Sequence, residues 1–199
     1  MQIILAFVIS GFIVAGLQAQ PKYPAIREEL LKMDKSDQDA RLKCTSGPAE
    51  GEAKCLSEIT KSIDEPNTKR LEEIFEEIGF PNTAKVGKKG LSAFMLVLQH
   101  APTDDLRVMS LKPITEAFRN KEIPPLDYAN FVDRLRLHQG KKQLYGSSFD
   151  FKDGKLVMSA TEDPKDLAKR RAKIGLPTLA DLIKELADMY HMEVVVPED

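Results

Sequence analysis

The sequence predicts a mainly α-helical fold, a single compact helical domain with a small β-hairpin near residues 148–158. Along most of the chain, apolar residues recur at intervals of three and four, which is the period of an amphipathic helix. Near residues 148–158 polar and apolar residues alternate around an Asp-Gly pair, which is typical of a hairpin. The length of 199 residues, of which 42% are hydrophobic, suits one domain.

Residues 1–19 are predicted to form a signal peptide. Residues 3–17 are almost uninterrupted apolar sequence, shorter than the roughly 20 residues that a membrane-spanning helix needs. Ala19 is a small residue at the expected cleavage position, so the mature chain would begin at Gln20 with no membrane span. The run is preceded by no lysine or arginine, so an uncleaved membrane anchor is the alternative. The expected location is secreted or periplasmic.

Residues 20–65 are predicted to form an N-terminal helix and a disulfide loop. The helix covers approximately residues 23–43. Its inward-facing residues are predicted to be Ile26, Leu30, Met33 and Leu42. Cys44 and Cys55 are the only cysteines, and a polar stretch rich in turn-forming residues separates them. We expect them to form a disulfide that contributes about 3 kcal/mol, the alternative being two free thiols. No further ligands lie at zinc spacing, so no metal site is predicted.

Residues 66–199 are predicted to form a helical domain that contains the hairpin. Its six helices begin near Asn67, Gly90, Thr103, Leu126, Pro164 and Leu179. Asn67 is expected to cap the first of these helices and Gly79 to end it. Asp163 and Thr178 are expected to cap the last two. Pro113 must kink or split the helix in which it lies. Residues 193–196 are predicted to form a short edge strand.

The charge balance and the missing motifs exclude several function classes. Lys and Arg number 29 against 31 Asp and Glu, so no basic excess favours nucleic-acid binding. The sequence has no metalloprotease, serine-hydrolase elbow, dinucleotide or calcium-loop motif. We therefore predict no cofactor. The expected partner is an unknown small anionic ligand or a protein.

A series of spaced motifs runs from about Asp64 to Leu182, and Asp37-Gln38 and Arg41 precede it. The blocks are Pro66-Asn67-Thr68-Lys69-Arg70-Leu71, Ile78-Gly79-Phe80-Pro81, Val86-Gly87, Gln99-His100-Ala101, Asp133-Arg134, Gly140, Gln143-Leu144-Tyr145-Gly146, Arg170-Arg171 and Gly175-Leu176. In this order they resemble a family of bacterial proteins known only as a domain of unknown function. Phe80 stands where the family pattern has tryptophan, and Ser147-Ser148 where it usually has Thr-Gln. The resemblance implies a self-contained domain and no particular reaction.

His100 is the leading candidate for a catalytic residue. It lies at the C-terminal end of a predicted apolar helix, where the helix dipole favours the imidazolium form. A histidine in this position suits general acid–base chemistry. The alternative is that His100 only caps its own helix by donating to the last carbonyl groups.

Asp133 and Arg134 are adjacent on a predicted helix, so their side chains diverge and each needs another partner. We assign Asp133 a catalytic role beside His100 and Arg134 a role in binding a carboxylate or phosphate. Alternatively, one or both attach the hairpin to the helices.

Gln143, Tyr145 and Arg171 complete the candidate substrate-binding residues. Gln143 and Tyr145 lie just before the hairpin, where they line either a ligand site or a structural corner in which the tyrosine hydroxyl bonds to backbone. Arg171 is expected to point inward from a basic helix.

Two functional hypotheses follow from these residues. The first is an exported binding or interaction module in which the polar motif residues form a structural network. The second is a hydrolase or transferase that acts on a polar anionic substrate, with His100 as general acid or base. An enzyme needs these groups beside a solvent-reachable cleft, whereas a structural network buries them with every hydrogen bond satisfied.

Overall fold

A computed structural model describes residues 20–45 and 49–197 of the chain. The predicted signal peptide, residues 1–19, lies outside them. The helices are α1 (Pro24–Thr45), α2 (Ala49–Ile59), α3 (Glu65–Ile78), α4 (Thr83–Gln99), α5 (Asp105–Arg119), α6 (Pro125–His138), α7 (Leu167–Lys173) and α8 (Leu179–Tyr190). The strands are β1 (Phe149–Lys152), β2 (Lys155–Met158) and β3 (Val194–Val195). The prediction of a mainly α fold with a small hairpin is confirmed.

Helices α1, α3, α4, α5 and α6 share one apolar core. Its buried members include Leu30, Leu71, Ile74, Phe94, Leu98, Leu106, Ile114 and Phe131. The start of α1 is attached to α4 by a hydrogen bond from the Tyr23 N–H to the Lys85 carbonyl, 2.8 Å long. Three of the predicted inward-facing residues of α1 are buried, but Leu42 is 66% exposed. That prediction was wrong because the end of α1 extends past the core toward the disulfide.

The segment between the cysteines is mostly helical, which corrects the predicted polar loop. Helix α1 continues to Thr45 and α2 begins at Ala49, and the disulfide Cys44–Cys55 joins the two helices. The predicted disulfide is therefore confirmed. A π-helical turn, Thr60–Asp64, leads directly from α2 into α3. Asn67 consequently lies inside a helix and does not cap one.

Helix α4 begins earlier than predicted. The Asn82 side chain accepts from the Lys85 N–H, 3.2 Å away, and caps the helix. Gly87 then interrupts the helical backbone with φ 72°, a conformation that glycine adopts without steric cost. This interruption explains why the apolar periodicity starts only near Gly90. Helix α5 continues through Pro113 to Arg119, so the proline does not split it.

The hairpin forms a three-stranded sheet in the order β1-β2-β3. Strands β1 and β2 are antiparallel around Asp153 and Gly154, whose φ angles of 51° and 74° fit a type I′ turn. Strand β3 pairs with β2 in parallel, as the predicted edge strand.

The last two helices differ in how they begin. Thr178 and Asp181 form a capping box at α8, as the predicted cap requires. Asp163 has φ 36° and makes no side-chain cap, because a 3-10 turn over Pro164–Asp166 precedes α7. No helix within the described ranges is long and apolar enough to cross a membrane.

Candidate functional site

Positively charged side chains gather around the carbonyl end of α4. The Arg107 side chain from α5 is only 1% exposed. It donates to the carbonyl oxygens of Gln99 at 3.0 Å, of Thr103 at 2.9 Å and of Ala101. The Gln99 carbonyl belongs to the last turn of α4, where the carbonyls lack partners inside the helix and carry the negative end of the helix dipole. Arg107 therefore fixes the backbone on both sides of His100.

His100 contacts a buried carboxylate from α1. Asp37 has no exposed surface, and its Oδ2 lies 2.9 Å from His100 Nδ1. Arg41 Nε lies 3.1 Å from the same Nδ1 and 3.2 Å from both oxygens of Asp37. A carboxylate only accepts hydrogen bonds, so Nδ1 carries the proton that Asp37 accepts and Arg41 donates to Asp37. In the neutral imidazole this arrangement leaves the lone pair on Nε2.

An arginine extends this contact into a four-residue group. Arg41 Nη2 donates to Asp37 at 3.1 Å and to Asp64 at 2.5 Å. Asp64, in the π-helical turn, is buried. Asp37, Arg41, Asp64 and His100 are called the His100 cluster below. The cluster joins α1, the π-helical turn and the end of α4 through charged side chains.

The pKa values of two carboxylates on α1 are shifted in opposite directions. Burial by itself raises the pKa of Asp37, but hydrogen bonds from His100 and Arg41 lower that pKa below its ordinary value. One turn earlier, burial and the charge of Asp37 raise the pKa of Asp34. Asp37 is thus held ionised, while Asp34 takes up a proton more readily than an exposed aspartate does.

The imidazole of His100 reaches solvent, since its side chain is 20% exposed. Both polar contacts of the ring, to Asp37 and Arg41, are made by Nδ1. Nε2 has no hydrogen-bond partner within residues 20–45 and 49–197. The predicted alternative, in which His100 caps its own helix through the ring, is therefore not the arrangement that the structure has. Arg107 caps those carbonyls instead.

Arg134 lies next to this cluster without a carboxylate partner in the described part of the chain. Its Nη1 makes one long hydrogen bond, 3.4 Å, to the carbonyl of Gln99. Burial, together with the charges of Arg107 and Arg41, lowers the pKa of Arg134. The side chain lines a groove of about 250 Å³. Other groove residues are Gln99, Asn130, Ser147, Phe149, Phe151 and Tyr190. A guanidinium with this surplus of donors is suited to binding an anion.

Asp133 makes no hydrogen bond to His100 and instead holds the turn before the hairpin. Its buried carboxylate accepts from the N–H groups of Leu144 at 2.7 Å, Tyr145 at 3.0 Å and Ser147 at 3.1 Å. It also accepts from the Ser147 hydroxyl at 2.8 Å. The carboxylate that contacts His100 is therefore Asp37, and the contacts of Asp133 are those of the alternative in which it attaches the hairpin to the helices.

Gln143 holds the base of the hairpin. Its buried amide accepts from the Ser148 N–H at 2.9 Å and donates to the carbonyls of Ser159 at 2.6 Å and Ser148 at 3.2 Å. These bonds engage the carbonyl and both N–H donors of a side chain that has no exposed surface, so it is not available to a ligand.

Arg171 and Tyr145 continue the same network. Buried Arg171 donates to the carbonyls of Tyr145 at 2.6 Å and Pro177 at 3.0 Å, and burial lowers its pKa. Burial raises the pKa of Tyr145, whose hydrogen bonds run through its backbone. Asp133, Gln143 and Arg171 are called the turn network below. The structure thus places the six predicted site residues in two groups, with only His100 and Arg134 beside the end of α4.

The sequence reasoning assigned no role to Asp34, Asp37, Arg41 or Asp64. Asp37 and Arg41 were noted only as an opening motif, although a spacing of four residues puts an acid and an arginine on one helix face. Asp64 gave no such signal. No group of three or more metal-ligating side chains occurs among the residues described.

Residues 24–195 match the family of unknown function DUF6624. The chain belongs to this family. The predicted resemblance to a domain of unknown function is confirmed, and DUF6624 membership assigns no reaction. The chain matches none of the curated proteins and none of the solved structures with which it was compared.

Proposed function

We propose that this member of DUF6624 binds a small anionic ligand beside the His100 cluster and that His100 moves a proton on that ligand. The observation that carries the proposal is the Asp37–His100 contact. A buried carboxylate accepts the Nδ1 proton, and the partly exposed ring keeps Nε2 free of any hydrogen bond in the described residues. This is the arrangement in which an imidazole acts as a general base.

Arg134 supplies the anion-binding half of the site. It contacts the carbonyl of Gln99, the residue before His100, and has no carboxylate partner in the ranges described. Arg107 and Arg41 add positive charge nearby, which disfavours the cationic form of Arg134. A bound carboxylate or phosphate would offset this repulsion, so anion binding is electrostatically favoured here.

The chemistry that fits these groups is hydrolysis or group transfer on a polar anionic substrate. Nε2 of His100 takes a proton from a water molecule or from a ligand hydroxyl. The imidazolium that forms is stabilised by ionised Asp37. The attacking group comes from water or the ligand, because the Ser147 hydroxyl in the groove already donates to Asp133.

A binding module without catalysis is the second candidate. The observation that favours it is that no member of the His100 cluster lines the groove that Arg134 lines. In this version Arg134 and the His100 cluster recognise an anionic ligand or an acidic protein segment, and no bond is broken.

Export is part of the same proposal. The disulfide Cys44–Cys55 supports it, because disulfides persist in oxidising compartments. Cleavage after Ala19 gives a mature chain that begins at Gln20. An intact mass that includes residues 1–19 after secretion would contradict this assignment.

Titration with simple anions tests the binding half. Sodium phosphate and sodium acetate are added separately while NMR signals of the His100 and His191 imidazoles are recorded. Phosphate or acetate should shift the His100 signals with saturation and leave His191, in the exposed turn after α8, unchanged. Arg134→Gln should remove the saturable shift. Equal, unsaturated shifts at both rings would overturn the proposal.

Turnover tests the proton-transfer half. Chromogenic phosphate and carboxylate esters are assayed with the natural chain and with the Asp37→Asn and His100→Gln variants. If catalysis uses this pair, both variants should lose at least about 100-fold in kcat while keeping the fold. Anion binding without turnover of any ester would leave the binding module as the function.

A further inference from the structure

A second cavity lies against α4, and no member of the His100 cluster lines it. It has a volume of about 790 Å³, within the usual range for small-molecule sites. The end of α5, the connection to α6 and the residue after α7 close it on the remaining sides. None of the residues assigned to the proposed anion site lines it.

The interior of this cavity is apolar. Leu91 and Met95 of α4 and Ile123 of the α5–α6 connection form its buried floor. Phe118 forms one wall, and its ring is stacked on Tyr128 with 4.2 Å between the centroids. The surface available to a ligand is therefore hydrophobic and held in place by packing on the core.

The rim of the cavity is basic. Four exposed cations line it: Lys88, Lys89, Arg119 and Lys121. None of the four pairs with a carboxylate within the described part of the chain. The lining also contains two acidic residues. Glu122 accepts from the Thr83 N–H at 2.9 Å and from its hydroxyl at 2.5 Å, and burial raises the pKa of Asp127.

One of these cations occupies a conformation that favours glycine. Lys121 has φ 60° in the turn that ends α5. The Lys121 N–H bonds to the Phe118 carbonyl at 2.9 Å, and the Glu122 N–H bonds to the Ala117 carbonyl at 2.9 Å. This is a Schellman motif, in which the residue at the Lys121 position is usually glycine. Lysine is conformationally less favourable than glycine at this positive φ, and the hydrogen bonds of the turn do not involve the lysine side chain.

We propose that the cavity binds a single-chain amphiphile with an anionic head, of the fatty-acid class. The alkyl chain lies against the apolar floor formed by Leu91, Met95 and Ile123. The carboxylate lies at the rim among the four cations, with Lys121 held toward it by the turn. Charge complementarity carries the choice of ligand, since a neutral apolar compound would need none of these unpaired cations.

The test is displacement of dansyl-labelled undecanoic acid from the full chain by monomeric decanoate and by decanol. Decanoate should bind saturably at one site, and decanol should bind at least about tenfold more weakly. Ser92→Phe fills the cavity from an exposed position on α4 and should weaken decanoate binding at least about tenfold.

Lys121→Gly tests the effect of the Lys121 charge on ligand binding without destabilising the fold. It removes a rim cation and relieves the positive φ, so it should weaken decanoate binding about fivefold without lowering Tm. Lys112→Gln, at an exposed position of α5 that does not line the cavity, is the matched control and should change neither quantity.

Three results would overturn the proposal. Equal affinity for decanoate and decanol would show that the cations do not select the ligand. Unchanged binding in both Ser92→Phe and Lys121→Gly would place the ligand elsewhere. Binding to phosphatidylglycerol vesicles without binding to monomeric decanoate would indicate a membrane surface as the partner. If Ser92→Phe does not fold, Lys121→Gly against Lys112→Gln decides the question.

Discussion

Asp133 and Arg134 are neighbours on α6, yet they belong to regions with different bonding. Asp133 is part of the turn network, in which buried polar side chains bond to backbone N–H and carbonyl groups of the hairpin and its flanking turns. Arg134 lies beside the His100 cluster, in which charged side chains mostly bond to each other. Among the residues that the structure describes, Nε2 of His100 has no partner, and the ring stays in contact with solvent.

This difference shows how to separate a structural polar group from a functional one. Side chain to backbone bonds fix the path of a loop, and once all of them are made nothing remains to bind a ligand. Charged side chains that bond to one another but leave a base and a cation unpaired can still bind a ligand through those two groups. The turn network should therefore respond to mutation through stability alone, and the His100 cluster through ligand binding as well as stability.

The largest effect is expected for Asp133→Ala. The substitution removes the acceptor of three backbone N–H groups and one hydroxyl in a buried position. We expect a loss of about 3–5 kcal/mol in the free energy of unfolding, because buried donors are left without acceptors. Urea denaturation measures this loss. Asp166→Ala, at an exposed position, is the control and should stay within about 0.5 kcal/mol of the natural chain. A loss below about 1 kcal/mol for Asp133→Ala would place Asp133 outside the structural group.

An intermediate effect, which depends on pH, is expected for Asp37→Asn. Hydrogen bonds from His100 and Arg41 hold the pKa of Asp37 below its ordinary value in the folded chain. Its stabilising contribution is therefore fully present above the unfolded pKa and is lost as the pH falls through the folded pKa. At pH 7 the variant should be less stable by about 1–3 kcal/mol. The two stability curves should converge as the pH falls below about 4. Urea denaturation of both chains at several pH values checks this. A difference in the free energy of unfolding that does not change with pH would show that His100 and Arg41 do not lower the pKa of Asp37.

Helix periodicity and turn chemistry predicted most of the fold. The apolar spacing in α1, α3 and α4, the Asp153-Gly154 turn and the Thr178 cap are local signals, and the structure has the elements that they indicate. The errors arose where tertiary contacts extend an element. Residues Ala49–Ile59, part of the polar stretch after Cys44, form α2, which the disulfide joins to α1 and a π-helical turn joins to α3.

The site was harder to predict because its members come from distant parts of the chain. His100 and Arg134 could be chosen from their residue types and positions, but their neighbours could not. Asp37 meets His100 across 63 residues, and Asp64 meets Arg41 across 23. The partner of a charged side chain depends on how helices pack. For this reason the predicted position of Asp133 beside His100 is wrong. Its contacts are with a turn 11 to 14 residues further along the chain.

The smallest effect on stability is expected for Arg134→Met. Arg171→Met is the variant with which it is compared. Methionine keeps an unbranched apolar side chain and removes the guanidinium in both variants. Arg171 donates to two carbonyls from a buried position, so its loss should cost about 2–3 kcal/mol. Arg134 has one 3.4 Å hydrogen bond and no carboxylate partner in the described residues, so its loss should change stability by less than about 0.5 kcal/mol. Phosphate binding, followed through the His100 imidazole, should disappear in Arg134→Met and persist in folded Arg171→Met. Equal losses of stability would mean that Arg134 is held by the fold as firmly as Arg171 is, and the two regions would then be one structural network.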